Sequence, residues 1–139
     1  MKLLTGSLLL DTHVLVWLLD DSARITEQIY GEIQQAADED QLFVSAITPL
    51  EIALLAAMGK LRLSRDVAEW INAALSLPGI RLEPLSPAIS VASTRLPWEA
   101  HGDPADRILL ATARHLNATL VTADQQMLDY GFVKCISPS

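Results

Sequence analysis

Four acidic residues in this 139-residue chain stand where reactive sites are often built. Asp11 follows the apolar stretch SLLL, and Asp124 follows TLVTA. Glu51 closes the tetrapeptide TPLE, and Asp106 closes DPAD just before the run RILLATA. Two of these stretches have a purely local explanation. In DPAD, Asp103 is a natural N-cap, Pro104 suits the first helical position, and Asp106 meets the positive end of the helix dipole. TPLE reads the same way, as a capping box with Thr48 as N-cap and Glu51 three residues on. Local roles no longer suffice if the acids meet. Carboxylates held together repel, so each must raise its pKa or find a cation. Oxygen-only donors suit Mg²⁺ or Mn²⁺. A hard divalent ion among acids activates water and stabilises in-line displacement at phosphorus. The chemistry this pattern suggests is metal-dependent phosphodiester hydrolysis.

The elements around the acids decide whether they meet. SLLL (7–10), QLFVSA (41–46), IRLEPL (80–85), ATLVTAD (118–124) and FVKCIS read as strands. Between them lie helical patterns: DTHVLVWLLD, ARITEQIYGEIQQAADED, TPLEIALLAAMGKL stopped by Gly59, SRDVAEWINAALSL, SPAISVAST, DPADRILLATARHL ended by Asn117, and the short QQMLDYG. Strands that alternate with helices and read as continuous apolar runs predict a parallel sheet covered on both faces. The expected fold is therefore α/β, a single α/β/α domain over residues 1–139. Ligands in such sheets sit outside the carboxyl ends of the strands. Asp11, Glu51, Asp106 and Asp124 are all expected on that edge, with Asp103 beside them.

Composition narrows the setting. Half of the residues are hydrophobic, enough for a core that folds alone. The single cysteine, Cys135, excludes an internal disulfide, so nothing asks for an oxidising compartment. A net charge of −7 argues against an extended duplex-binding face, yet it leaves room for a nucleic-acid enzyme whose acids are offset by metal. The opening MKLLTGSLLLDTHVLVWLL superficially suggests a signal peptide, but Asp11 and His13 interrupt the apolar run and no cleavage site follows cleanly. The same interruption argues against a membrane span. A soluble cytoplasmic protein is expected.

The stretch LLLDTHVLVWLL (8–19) resembles the opening of a PIN domain, particularly the VapC-type toxins of prokaryotic toxin–antitoxin modules. VSAITPLEIALLAAMGKLRL (44–63), HGDPADRILLATA (101–113) and LVTAD (120–124) resemble the later blocks of that family, in the family's order. The resemblance implies a Mg²⁺- or Mn²⁺-dependent endoribonuclease acting on RNA. It also implies a homodimeric toxin held inactive by a cognate antitoxin protein. Carried over residue by residue, Asp11, Glu51 and Asp106 match the core catalytic and metal-site acids, and Asp124 matches a more variable fourth. Thr12 and Ser45 match small polar positions that hydrogen-bond a water or ligand in the site. Asp103 is then expected mainly to start its helix, while Asp106 both supports the helix and serves the site.

Other residues carry weaker signals. His13, two residues after Asp11, is expected to pack or hydrogen-bond beside the site. His101 could touch RNA, and His115 is expected to be inert. Trp17 and Trp70 read as core or partner contacts, and Trp98 is the best placed of the three tryptophans to stack on RNA. Arg107 could contact phosphate or pair with a carboxylate. Lys60, Arg62 and Arg65 form a basic patch that is either a solvated helix end or an RNA or antitoxin contact. The apolar faces of ARITEQIYGEIQQA and SRDVAEWINAAL exceed what one small sheet needs, which points to self-association. Three rival functions stand against this one. A receiver-like phosphoacceptor domain fits the length, the fold class and Lys134, but it needs an acidic pair where Asp11 is followed by Thr12. A phosphatase of the haloacid-dehalogenase type needs an aspartate where His13 stands. A non-catalytic interaction module on the same fold would retain the acids as helix caps.

Overall fold

The computed structural model describes residues 6–97 and 102–139. Five parallel strands form one sheet in the order β3-β2-β1-β4-β5: β1 (Leu8–Leu10), β2 (Leu42–Ser45), β3 (Ile80–Glu83), β4 (Thr119–Val121) and β5 (Cys135–Ile136). The predicted α/β/α architecture is the one observed. The central strands are buried on both faces because their side chains alternate between two cores. Leu8, Leu10, Leu42, Val44 and Val121 face one core. Leu9, Phe43 and Leu120 face the other. The outer strand β3 is only partly covered, which is why IRLE lacks the continuous apolar run of the inner strands.

The first core is closed by α1 (Thr12–Asp20), α2 (Glu27–Asp38) and α4 (Val67–Leu75), with Ile52 from α3 (Ile47–Ala57). The second is closed by α6 (Pro104–Leu116) and Met127 of α7 (Gln125–Leu128), while α5 (Pro87–Ser93) packs on α6. Helix α6 starts as its sequence predicts. Asp103 accepts from Ala105 N–H at 3.0 Å, and Pro104 follows as the first helical residue. It ends in a left-handed Asn117, with Ala118 N–H returning to the Ala113 carbonyl at 2.8 Å.

Three local expectations need correction. The stretch ARITEQIYGEIQQAADED is not one helix: a 3₁₀ turn at Ser22–Arg24 precedes α2, whose N-cap is Thr26. TPLE is not a capping box. Helix α3 begins at Ile47, and Thr48 lies inside it, fully buried. Ser45 takes over at the helix start, its hydroxyl accepting from Ile47 N–H at 3.1 Å. The apolar faces of α2 and α4 are not surplus either. Ile29, Ile33, Ala36, Trp70 and Ala74 are all buried in the first core. An exposed apolar stripe lies instead on α3, at Leu50 and Leu54, and continues to its C-cap Met58.

Gly79 closes the connection from α4 to β3. Its φ of +84° disfavours any side chain, and a Cβ there would lie 2.3 Å from the Ala37 carbonyl oxygen of α2. Backbone cannot yield as a flexible side chain does. Gly79→Ala is therefore expected to destabilise the protein by about 2 kcal/mol or more, combining a left-handed conformation with a backbone clash. Urea unfolding of the two proteins measures it, and equal midpoints would contradict this packing.

Candidate active site

Four helices present their N-termini at the carboxyl edge of the sheet, and the acids sit on those ends. Asp11 links β1 to α1. Its backbone N–H donates to the Val121 carbonyl at 3.0 Å, which pins it between β1 and β4. Its carboxylate accepts from Thr12 N–H at 2.7 Å and from the Thr122 hydroxyl at 2.6 Å. Asp124 caps α7, one oxygen accepting from Gln126 N–H at 2.9 Å and from Met127 N–H at 3.4 Å. Asp106 is buried in the first turn of α6. Glu51 lies one turn into α3, half-buried, and accepts a short hydrogen bond from the Thr12 hydroxyl.

All these acids line one cleft of about 400 Å³: Asp11, Glu51, Asp103, Asp106 and Asp124, with His13, Trp17, Leu55 and Ala123. Glu51, Asp103 and Asp106 each place a carboxylate oxygen within 4.8 Å of the others. Asp103 therefore caps α6 and joins the acid group as well. An ion bound at about 2.1 Å sets oxygens on its opposite sides about 4.2 Å apart. The three oxygens thus need little movement to hold a hard divalent cation, and the donor set fits one.

Burial and crowding mark the electrostatics. Burial pushes the Asp11 carboxyl above its ordinary range; the bonds from Thr122 and Thr12 pull it back, and Asp124 adds repulsion. Burial also raises Glu51, with further repulsion from Asp11 and Asp103 working against the bond from Thr12.

Several residues singled out in the sequence lie elsewhere. Thr12 reaches the site through Glu51, whereas the Ser45 hydroxyl is buried and occupied with Ile47 N–H. Arg107 does not line the cleft; its charge acts on the Tyr130 hydroxyl. His115, Lys60, Arg62 and Arg65 are exposed away from the cleft lining. Trp70 is a core residue, while His13 is exposed on the cleft wall. Trp98 and His101 lie outside the described residues. Sequence reading missed Thr122. This fully buried hydroxyl donates to Asp11 and accepts from Asp124 N–H at 3.0 Å, so one side chain orients both strand-end acids. Its signal is a polar residue at the end of an apolar strand, and it acquires meaning only once β4 is known to pair with β1.

Raised carboxyl pKa values have a signed consequence for stability. The folded state then binds protons more tightly than the unfolded chain, so the associated stability is full below the ordinary values and is lost as pH rises through the raised ones. In chelator, Asp11→Asn is expected to match wild type below pH 3.8, the ordinary aspartate value. It should become the more stable protein as pH rises to neutral, by about 0.5–2 kcal/mol. Thermal melts across that pH range in EDTA test this. A variant less stable than wild type by the same margin at every pH would make Asp11 a purely structural residue.

Comparison with known proteins agrees with this architecture. Ribonuclease VapC22 of Mycobacterium tuberculosis is 31% identical over 121 residues, covering 87% of this chain and 89% of that protein. VapBC2 from Rickettsia felis, solved bound to a promoter DNA fragment, superposes with a TM-score of 0.69 at 15% identity, covering 95% of this chain and 98% of the other. A toxin–antitoxin complex from Klebsiella pneumoniae gives a TM-score of 0.63 at 23% identity, covering 96% and 98%. The PIN domain model matches residues 8–133, nearly the whole of the fold just described, and the chain belongs to the PIN-domain family.

Proposed function

We propose that this chain is a cytoplasmic endoribonuclease dependent on Mg²⁺ or Mn²⁺, the toxin of a type II toxin–antitoxin module. The observation that carries the reading is the cleft, where five carboxylates converge at the sheet edge and three of them are spaced for one cation. Membership of the PIN-domain family and similarity to a ribonuclease support the substrate. Asp11, Glu51, Asp106 and Asp124 would hold the ion, joined by Asp103, whose carboxylate oxygen lies within 4.8 Å of those of Glu51 and Asp106. A divalent ion bound there supplies charge stabilisation at phosphorus and makes water a stronger nucleophile.

The protein's own part is orientation. In the hydrolysis, the water oxygen bonds to phosphorus, the bond to the leaving ribose oxygen breaks, and that oxygen ends protonated. Thr122 holds Asp11 and Thr12 holds Glu51, so both carboxylates keep fixed directions throughout. Fixed geometry of this kind is a large share of what a site contributes to rate.

Chelation should abolish RNA cleavage, and added Mg²⁺ or Mn²⁺ should restore it. Asp11→Ala, Glu51→Ala and Asp106→Ala should each lower the cleavage rate by about 100-fold or more. Asp124→Ala should cost less activity, because Asp124 matches the more variable fourth acid of the family pattern. Cleavage that survives exhaustive metal removal, or near-wild-type turnover in Asp11→Ala, would overturn the reading.

Self-association belongs to the same proposal. Leu50 and Leu54 of α3 and its C-cap Met58 follow one another at helical spacing and are each more than half exposed, at 54%, 52% and 57%. A continuous apolar stripe of this kind marks a protein contact. We assign it to a homodimer and expect a separate antitoxin protein as the toxin's inhibitor. Light scattering at tens of micromolar should report a dimer for the antitoxin-free protein, and Leu54→Glu should shift it toward monomer. A monomeric wild-type mass would refute the assignment.

A further inference from the structure

The acid cleft is a poor receiver for a polyanion. Among the described residues five carboxylates line it and no lysine or arginine does, in a chain whose net charge is −7. A divalent ion answers the charge at the scissile phosphate. The neighbouring phosphate and base need other groups to hold them.

Helix α1 and the turn after it supply such groups. His13 and Trp17 are one helical turn apart, and both line the cleft. Their ring centroids are 6.4 Å apart, with the planes tilted by 52°. Arg24, at the end of the 3₁₀ turn, lays its guanidinium 4.3 Å from the centre of the Trp17 ring. That contact restrains a long side chain, while Arg24 itself stays exposed and open to a partner. Trp17 is half-buried against the first core, so the stack has a firm base.

We propose that His13 and Trp17 on the wall of the acid cleft, with Arg24 stacked on Trp17 at its margin, form a ledge that seats a nucleotide next to the scissile phosphate of single-stranded RNA. The base lies against the Trp17–Arg24 stack, and its phosphate meets the guanidinium. The inference rests on the ribonuclease reading and adds to it the residues that hold the nucleotide beside the reacting phosphate. Aromatic rings and guanidinium planes stack on unpaired bases, whose faces are covered in a duplex. Every base has such a face, so the ledge selects an unpaired strand rather than a particular base.

The test uses the full-length protein with Mg²⁺ or Mn²⁺, a twelve-nucleotide single-stranded RNA and the same strand annealed in a duplex. Wild type should cleave the single strand in strong preference to the duplex. Trp17→Leu should raise KM about tenfold, with the change falling on KM rather than kcat, and Trp17→Phe should recover much of the loss. Arg24→Gln should raise KM and reduce the slope of log affinity against log salt by about 0.7, the value for one lost phosphate contact on a single strand. Trp17 also packs on the core, so melting temperatures accompany each measurement. Arg24 is exposed, and its variant keeps the test independent of folding. Active wild type together with variants of unchanged KM and salt slope would overturn the ledge and leave the nuclease standing. Weakened antitoxin affinity at unchanged KM would make it a protein contact and overturn it for RNA. Wild type inert on RNA with either metal would overturn the nuclease reading, and the ledge with it.

Discussion

Repulsion among carboxylates is the constraint around which this molecule is arranged. Five of them share one cleft, and Asp11 and Asp106 within it are only 7% and 8% exposed. Two unit charges 4 Å apart near a protein surface repel by about 4 kcal/mol. Such a group stays together only if the backbone beneath it is fixed by something stronger. Here that is a sheet buried on both faces, with the strand ends locked by ladder hydrogen bonds. The hydroxyls of Thr12 and Thr122 then turn individual carboxylates and take up part of their charge.

Helix N-termini relieve the same repulsion. Asp11, Asp103 and Asp124 are the N-caps of α1, α6 and α7, and Asp106 stands in the first turn of α6. Free backbone N–H groups at these positions favour negative charge whether or not a cation is bound. Capping and site chemistry are therefore not competing explanations for these residues. The cap lowers the cost of keeping an acid at the edge of the sheet, and the fold turns several capped edges toward one point. Glu51 differs. It sits deeper in its helix, has no capping role, and depends on the Thr12 hydroxyl for its orientation.

Strand order completes the arrangement. Strands β1 and β4 are neighbours although Asp11 and Thr122 lie 111 residues apart in the chain. To one side of β1 the chain runs out through β2 to β3; on the other it runs through β4 to β5. Connections diverge where the order reverses, and a crevice opens at the carboxyl ends of the strands there. Asp11 and Asp124 come from the two strands that border this divide, and α3 and α6 bring the remaining acids to it. An acidic protein thus gains a site of concentrated negative charge at that crevice.

The sequence by itself determined the elements and the edge of the sheet on which the acids would lie. Short apolar runs such as LLL and LFVS, set between helical patterns, read as buried strands, and the DPAD start and Asn117 end of α6 are written in residues a few positions apart. Those signals are local, so they survive without knowledge of the rest of the chain. Tertiary structure decided what depends on partners far away. Thr122 acquired its role only through the register that sets Leu10 against Val121. Ser45 rather than Thr48 serves the start of α3, and Thr48 is buried beside the Thr12 hydroxyl instead. The apolar faces of α2 and α4 proved to be core, and the exposed stripe moved to α3, because coverage depends on which helices the crossovers bring together. Asp103 could be read as a cap, but its approach to Glu51 could not. Capping is a property of one turn of chain, whereas the distance between two carboxylates on different helices is set by the packing of the whole sheet.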